Sequence, residues 1–252
     1  MTGRPLVHLV GAGPGDPLLL TRRAAHLLVE ADVVVIDRRS LDAVAALAPA
    51  TAERCYVGRT ATGPAWSTDR IVHLLAERAA AGLVVVRLKG GDPFVCSRGG
   101  EERLALLERG VACAVVPGVT AATAAPLAAG VRRGRSVTIL AGNDDPCYPE
   151  LDLGTLADPD ASLVMLTGRA RQGALAAALA AAGLDPTTPA VLVHAASRPG
   201  QRVTATTLAG LASHRLPPPT TVIIGPSMPS RAPVTDGAHT TTTPAGGRRA
   251  HP

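Results

Sequence analysis

The sequence predicts an α/β protein built from two successive α/β units, and three observations lead there. Short apolar runs rich in Val and Leu alternate with segments of helical spacing along most of the chain. Two of those runs end in glycine-rich loops, where the strands of a mainly parallel sheet carry function. The length, 252 residues, accommodates two units of ordinary size, each with a core of its own.

Leu6–Val10 is the first strand and ends in the tight loop Gly11-Ala12-Gly13-Pro14-Gly15-Asp16. Arg22–Glu30 has helical spacing behind Thr21 as N-cap. Ala31–Asp37 is a second strand, apolar on both faces across Val33–Ile36, as a buried parallel strand should be. Ser67-Thr68-Asp69 opens a helix that runs to Ala81 and stops at Gly82. Leu83–Leu88 is the third strand and leads into Gly90-Gly91-Asp92-Pro93. Glu101–Arg109 is helical, Gly110 ends it, Cys113–Val116 is the fourth strand, and Thr120–Ala129 makes a small-residue helix. A basic linker, Gly130–Arg135, introduces the second set of strands: Ser136–Ala141, Ser162–Leu166, Ala190–His194 and Thr221–Ile224. Gln172–Ala182 is a helix among them. These assignments divide the chain into units 1–130 and 131–230. Residues 231–252, mostly Thr, Pro, Gly, Ala and Arg without an apolar period, are expected to form a disordered tail.

Composition narrows the function classes. Four aromatic residues, Tyr56, Trp66, Phe94 and Tyr148, are too few for base-stacking platforms, so nucleic acid is not an expected partner. A net charge of +5 favours an anionic partner without choosing one. Lys89 is the only lysine among the cations, the rest being Arg. Cys55, Cys96, Cys113 and Cys147 form no CxxC pair, which excludes a thiolate metal site and suits a reducing cytoplasm; no metal is expected. Thr2–Pro5 leads straight into a strand, giving no sign of a secretory signal, and no apolar run is long enough for a membrane span.

Gly11-x-Gly13-x-x-Asp16 nearly matches the dinucleotide fingerprint, with Asp37 at the ribose-binding distance. Two details weigh against that reading. The third glycine, needed for close helix–strand packing, is Asp16, and its carboxylate near a helix N-terminus would repel a pyrophosphate.

The loop belongs to a longer series. Val10-Gly11-Ala12-Gly13-Pro14-Gly15-Asp16-Pro17, the strand ending in Asp37, and Arg87-Leu88-Lys89-Gly90-Gly91-Asp92-Pro93-Phe94 come in that order. Arg98-Gly99-Gly100-Glu101-Glu102 and Val116-Pro117-Gly118-Val119-Thr120-Ala121-Ala122 follow. Together they resemble the tetrapyrrole (corrin/porphyrin) methylases, most of all the uroporphyrinogen-III C-methyltransferase branch. The likeness spans residues 6 to about 226 and is dense through 122.

The resemblance implies two α/β domains with S-adenosylmethionine held in the cleft between them, a homodimer, and a polycarboxylate tetrapyrrole as substrate. It implies C-methylation of uroporphyrinogen III to precorrin-2, in sirohaem or cobalamin-type biosynthesis. By position, Pro14, Gly90, Gly91, Asp92, Val95, Thr120, Ala121, Thr167 and Ala196 would contact the cofactor, and Arg98 and Glu101 the substrate. Asp37 would be the catalytic base, its structural alternative being a cap at a strand end. Arg59 stands at the proton donor's position, but a guanidinium stays protonated. For Arg98 the alternative is a structural ion pair.

Other positions depart from the pattern. Ile36 replaces a Tyr, Pro64 a His and Thr68 a Gln, Thr167 replaces a Met, and about five residues are missing after Gly130. Two alternatives follow: a methylase for another acceptor, such as a later corrin precursor or a peptide, and a non-catalytic S-adenosylmethionine-binding relative.

Overall fold

The structure, a computed structural model, describes residues 5–58, 64–131, 134–142, 152–166, 171–215 and 217–226. Arg59, Thr167, most of the 130–135 linker's arginines and the 231–252 tail lie outside the described residues.

The first half runs β1 (Leu6–Gly11), α1 (Arg22–Val29), β2 (Val33–Ile36), one-turn α2 (Asp42–Ala45), β3 (Glu53–Tyr56), α3 (Thr68–Ala80), β4 (Val85–Lys89), α4 (Gly99–Glu108) and β5 (Ala112–Val116). Its strands form an all-parallel sheet in the order β3-β2-β4-β1-β5. The helix starts follow from the sequence: Thr21 and Ser67 occupy the N-caps of α1 and α3, each accepting from a backbone N–H of the first turn. Alternation along the strands supplies two cores. Val34 and Ile36 join Val10, Leu27, Leu28 and Val44 on the α1–α2 face, whereas Val33 and Val35 join Ile71, Leu75 and Leu106 on the α3–α4 face.

The second half contains α5 (Ala121–Ala128), β6 (Ser136–Ala141), one-turn α6 (Leu153–Leu156), β7 (Ala161–Leu166), α7 (Gln172–Ala181), β8 (Pro189–His194), β9 (Arg202–Thr207) and β10 (Thr220–Ile224). The sheet order is β6-β7-β10-β8-β9. Only β6 and β7 pair in parallel; β7–β10, β10–β8 and β8–β9 are antiparallel. The second sheet is therefore mixed, unlike the all-parallel first. The segment between β8 and β9 is a short turn with no helix, too short to cross over and return the chain in parallel.

Two strands were not legible in advance, β3 and β9, and both are sheet edges. β9 alternates exposed and half-buried residues, and β3 begins with the charged pair Glu53-Arg54, so neither has the continuous apolar run of a central strand. The sheets are joined through α5. It follows β5 in the chain, yet Ala122, Ala125 and Ala129 pack on Val164, Leu166, Val191, Val193 and Ile223 of the second sheet. Small side chains let that helix lie close. The opposite face of the sheet packs Leu163, Met165, Leu192 and Val222 with Leu179 of α7.

Candidate active site

Two glycine loops meet where β1 and β4, neighbours in the first sheet, both end. The Gly13 N–H donates to the Gly91 carbonyl at 3.2 Å and the Gly91 N–H to the Gly13 carbonyl at 2.8 Å, while Ala12 N–H reaches Lys89 O at 2.7 Å. The third loop, after β5, is tied in by Asp92. One carboxylate oxygen accepts from Phe94 N at 2.8 Å and the other from Gly118 N at 3.1 Å. Asp16 accepts from Leu18 N at 2.9 Å and caps a 3₁₀ turn over Pro17–Leu19. α1 begins later, behind its own cap Thr21, so Asp16 is a turn-former in the first loop.

Above these loops lies a cavity of about 240 Å³ whose walls come from both sheets. Pro14, Gly90, Gly91 and Asp92 form the side toward the first sheet, and Thr120 and Ala121 stand at the start of α5. Leu166, Val193 and Ala196 complete it from the second sheet. Val95 and Cys96, after the second loop, also line it. Every expected cofactor position among the described residues therefore lines this one cavity. Thr167 lies outside them, but its neighbour Leu166 is on the wall. The non-glycine residues with left-handed backbone cluster here too: Cys96 at φ 48°, Ala195 at φ 50° and Ser197 at φ 60°. Such conformations cost about 1–3 kcal/mol each and persist where surrounding structure holds them, commonly at binding sites.

Asp37 lies at the end of β2, next to the cavity but outside its lining; its successor Arg38 is in the wall. The Asp37 carboxylate, 24% exposed, pairs with the buried Arg87 guanidinium. Burial works to raise its pKa, but the charges of Arg87 and Lys89, the Arg87 hydrogen bond and the charge of Arg38 outweigh it and hold Asp37 below the usual range. It is ionised at neutral pH.

Behind Asp37 is a buried charge cluster that sequence reasoning left unread. Arg87 and Lys89 stand two apart on β4, so both point to the same face. Glu102, 2% exposed in the first turn of α4, accepts from Arg87 at 3.0 and 2.9 Å and from Lys89 Nζ at 2.7 Å. The signal was available. Two cations on one face of a strand with no exposed side require a buried acid, and Glu101-Glu102 is the nearest acidic pair on the next helix. Of that pair the expected substrate contact, Glu101, is exposed, as is Arg98 at the N-cap of α4; neither lines the cavity. Ile36 is fully buried among Val34, Leu41 and Val44, so the residue that stands in place of the family Tyr is part of the core.

Arg198, in the β8–β9 connection, enters the cavity wall from the opposite side and donates from Nε to the Pro14 carbonyl at 2.6 Å. Burial, then the charge of Arg38, lowers its pKa from the ordinary guanidinium value. Among the described residues no group of three His, Cys, Asp or Glu side chains is placed to hold a metal ion, and no helix is long and apolar enough to cross a membrane.

Comparison with known proteins bears on the same region. The model of the Tetrapyrrole (Corrin/Porphyrin) Methylases matches residues 6–212. An S-adenosyl-L-methionine-dependent uroporphyrinogen III methyltransferase of Methanosarcina barkeri is 42% identical over 214 residues, 82% of this chain and 84% of that protein. A siroheme synthase of Pseudomonas aeruginosa is 41% identical over 228 residues, 87% of this chain but 49% of the synthase, so the chain spans about half of that longer protein. The crystal structure of a Thermus thermophilus uroporphyrin-III C-methyl transferase, complexed with S-adenyl homocysteine, superposes with a TM-score of 0.74 at 41% identity, covering 88% of this chain and 92% of that one.

Proposed function

This chain belongs to the tetrapyrrole (corrin/porphyrin) methylases, and from that premise we propose that it methylates pyrrole carbons of uroporphyrinogen III, giving precorrin-2, with S-adenosylmethionine as donor. The observation that carries the reading is the cavity between the sheets, lined by the described cofactor positions of the family pattern. Its chemistry suits that donor. Val95, Leu166 and Val193 offer apolar walls to an adenine, and glycine loops leave peptide groups bare for an amino-acid end that has no phosphate to neutralise. S-adenosylmethionine supplies a methyl group on a sulfonium, which is already a good leaving group. The protein's task is then alignment: the glycine loops and α5 hold the donor, and the first sheet presents the acceptor carbon in line with it. Asp37 serves as the base for the proton lost from the methylated macrocycle. A carboxylate with a low pKa suffices, because the methylated ring is cationic and its proton strongly acidic. We read residues 1–130 and 131–230 as the two domains, with α5, the last helix of the first, docked on the sheet of the second. A cytoplasmic homodimer completes the proposal; exposed Val137 and Ile139, two apart on edge strand β6, are apolar surface a second copy would cover.

The test is anaerobic turnover of uroporphyrinogen III with labelled S-adenosylmethionine, read as methyl incorporation and product mass. Two added methyl groups are expected. Binding of S-adenosylhomocysteine without transfer would retain the donor site and move the acceptor to another corrin precursor or a peptide. Asp37→Asn is expected to lower kcat by roughly a hundredfold or more with the Kd for S-adenosylhomocysteine within about twofold. Its melting temperature is measured alongside, since Asn also weakens the pairing of Arg87. Asp92→Ala frees the Phe94 and Gly118 amides, and is expected to cost about 1–3 kcal/mol of stability together with most of the S-adenosylhomocysteine affinity in calorimetry.

A further inference from the structure

Two arginines, Arg38 and Arg198, line this cavity, one from each half of the chain. Each lies over a glycine. A Cβ at Gly90 would come within 3.3 Å of Arg38 Nη2, and one at Gly15 would overlap Arg198 Nε at 2.0 Å. The loop that carries Arg198 is held in a costly shape. Ala195 and Ser197 are both left-handed, and Gln201 fastens it by accepting from Ser197 N at 2.7 Å.

Among the described residues neither arginine forms an ion pair with an acid. Asp37, beside Arg38 in sequence, is committed to Arg87, and both oxygens of Asp92 are engaged by backbone amides. The Arg38 side chain makes no hydrogen bond or ion pair among the described residues. Like charges lining one cavity repel: the Arg198 pKa is lowered first by burial and then by the charge of Arg38. An anion placed between them would turn that repulsion into two attractions. The planar guanidinium fork is suited to a carboxylate, which it binds through parallel hydrogen bonds.

We propose that Arg38 and Arg198 form a two-armed clamp that closes on one ligand carboxylate in this cavity and so links the two halves of the chain in the loaded state. The inference rests on the function proposed above, in which carboxylates come from two sources: the amino-acid end of the donor and the acid arms of the macrocycle. Neither arginine belongs to the set of positions carried over from the family pattern.

The test compares the intact protein with Arg38→Gln and Arg198→Gln, titrating S-adenosylhomocysteine by calorimetry and uroporphyrin III, the stable oxidised macrocycle, by fluorescence quenching. Both variants are expected to weaken the same ligand by roughly tenfold or more while leaving the other within about twofold. Loss confined to S-adenosylhomocysteine assigns the carboxylate to the donor; loss confined to uroporphyrin assigns it to the macrocycle. The melting temperature of unliganded Arg38→Gln should change little, since a repulsion from Arg198 and an attraction to Asp37 are removed together; a merely structural arginine would lower it. Arg198→Lys keeps the charge and a donor for Pro14, and should recover part of the affinity lost in Arg198→Gln. Unchanged affinity for both ligands, or an effect from only one of the two arginines, overturns the clamp. Because both readouts are equilibrium binding, they stand apart from turnover: a wild-type chain that binds but fails to methylate uroporphyrinogen III would refute the proposed reaction and leave the clamp decided on its own data.

Discussion

Glu102→Ala is expected to lower the stability of the folded chain by about 3–5 kcal/mol, the cost of stripping a buried ion cluster of one partner. Glu102 is the acid that Arg87 and Lys89 share inside the first domain, and all three side chains are almost completely buried. Without it, two buried cations face the single carboxylate of Asp37. Two responses are open to the chain: Lys89 can stay buried with its charge uncompensated, or the α4–β4 contact can open to admit water. Both cost free energy, and both disturb the side chain that holds Asp37 ionised. Glu102→Gln keeps the shape and some of the hydrogen bonding, so its loss should be smaller, though it also removes the neutralising charge. Urea unfolding of the wild type and both variants measures this directly. A loss below about 1 kcal/mol for Glu102→Ala would mean that the cluster is hydrated in solution and contributes little. The same variant should also lower activity, because Arg87 would be free to turn away from Asp37.

The second large effect is expected at Gly118, where the three functional loops touch backbone to backbone. A Cβ there would stand 2.3 Å from the Gly91 carbonyl oxygen and 2.8 Å from Gly11 Cα. Gly11 is equally confined, with a Cβ 2.5 Å from Gly118 N. No flexible side chain is available to move aside, so Gly118→Ala must push the loops themselves apart. The expected cost is about 3 kcal/mol, the upper end of the overpacking range, and S-adenosylhomocysteine binding should be lost because Gly91 and Asp92 line the cavity. Gly100→Ala is the control. That position lies in the first turn of α4 with nothing within 4 Å of a Cβ, so alanine there should be neutral or stabilise by up to about 0.5 kcal/mol. The adjacent Gly99 is different again, since its Cβ would strike the Pro93 carbonyl at 2.2 Å. The two neighbouring glycines of one motif should therefore respond in opposite ways, and melting curves of the two alanine variants would show it.

The central strands β1, β2 and β4 could be read directly from the chain, because parallel strands covered on both faces are mostly apolar: β2 is so throughout, and only His8 interrupts β1 and Arg87 and Lys89 interrupt β4. Helix starts at Thr21 and Ser67 were legible for a local reason: a capping oxygen must sit at the residue before the first turn. The loop motifs carry the family resemblance, and the positions it implies for the cofactor, where described, all line the cavity. Such loops are legible because close backbone contacts tolerate few sequences, and glycine at a close approach leaves a mark on the chain. Edge strands β3 and β9 left no such mark, since one side of each faces solvent and permits charged or polar residues.

Local sequence thus determined the central strands, the longer helices, the glycine loops and the family to which the chain belongs. What only the tertiary structure decided are the relations between residues far apart in sequence. α5 leaves the first sheet to pack on the second, Glu102 and not Glu101 turns inward, and Arg198 crosses to Pro14 from 184 positions away. A residue's propensity and its motif are set by its near neighbours. Which charge must be neutralised, and by what, depends on the dielectric and the partners that folding brings around it.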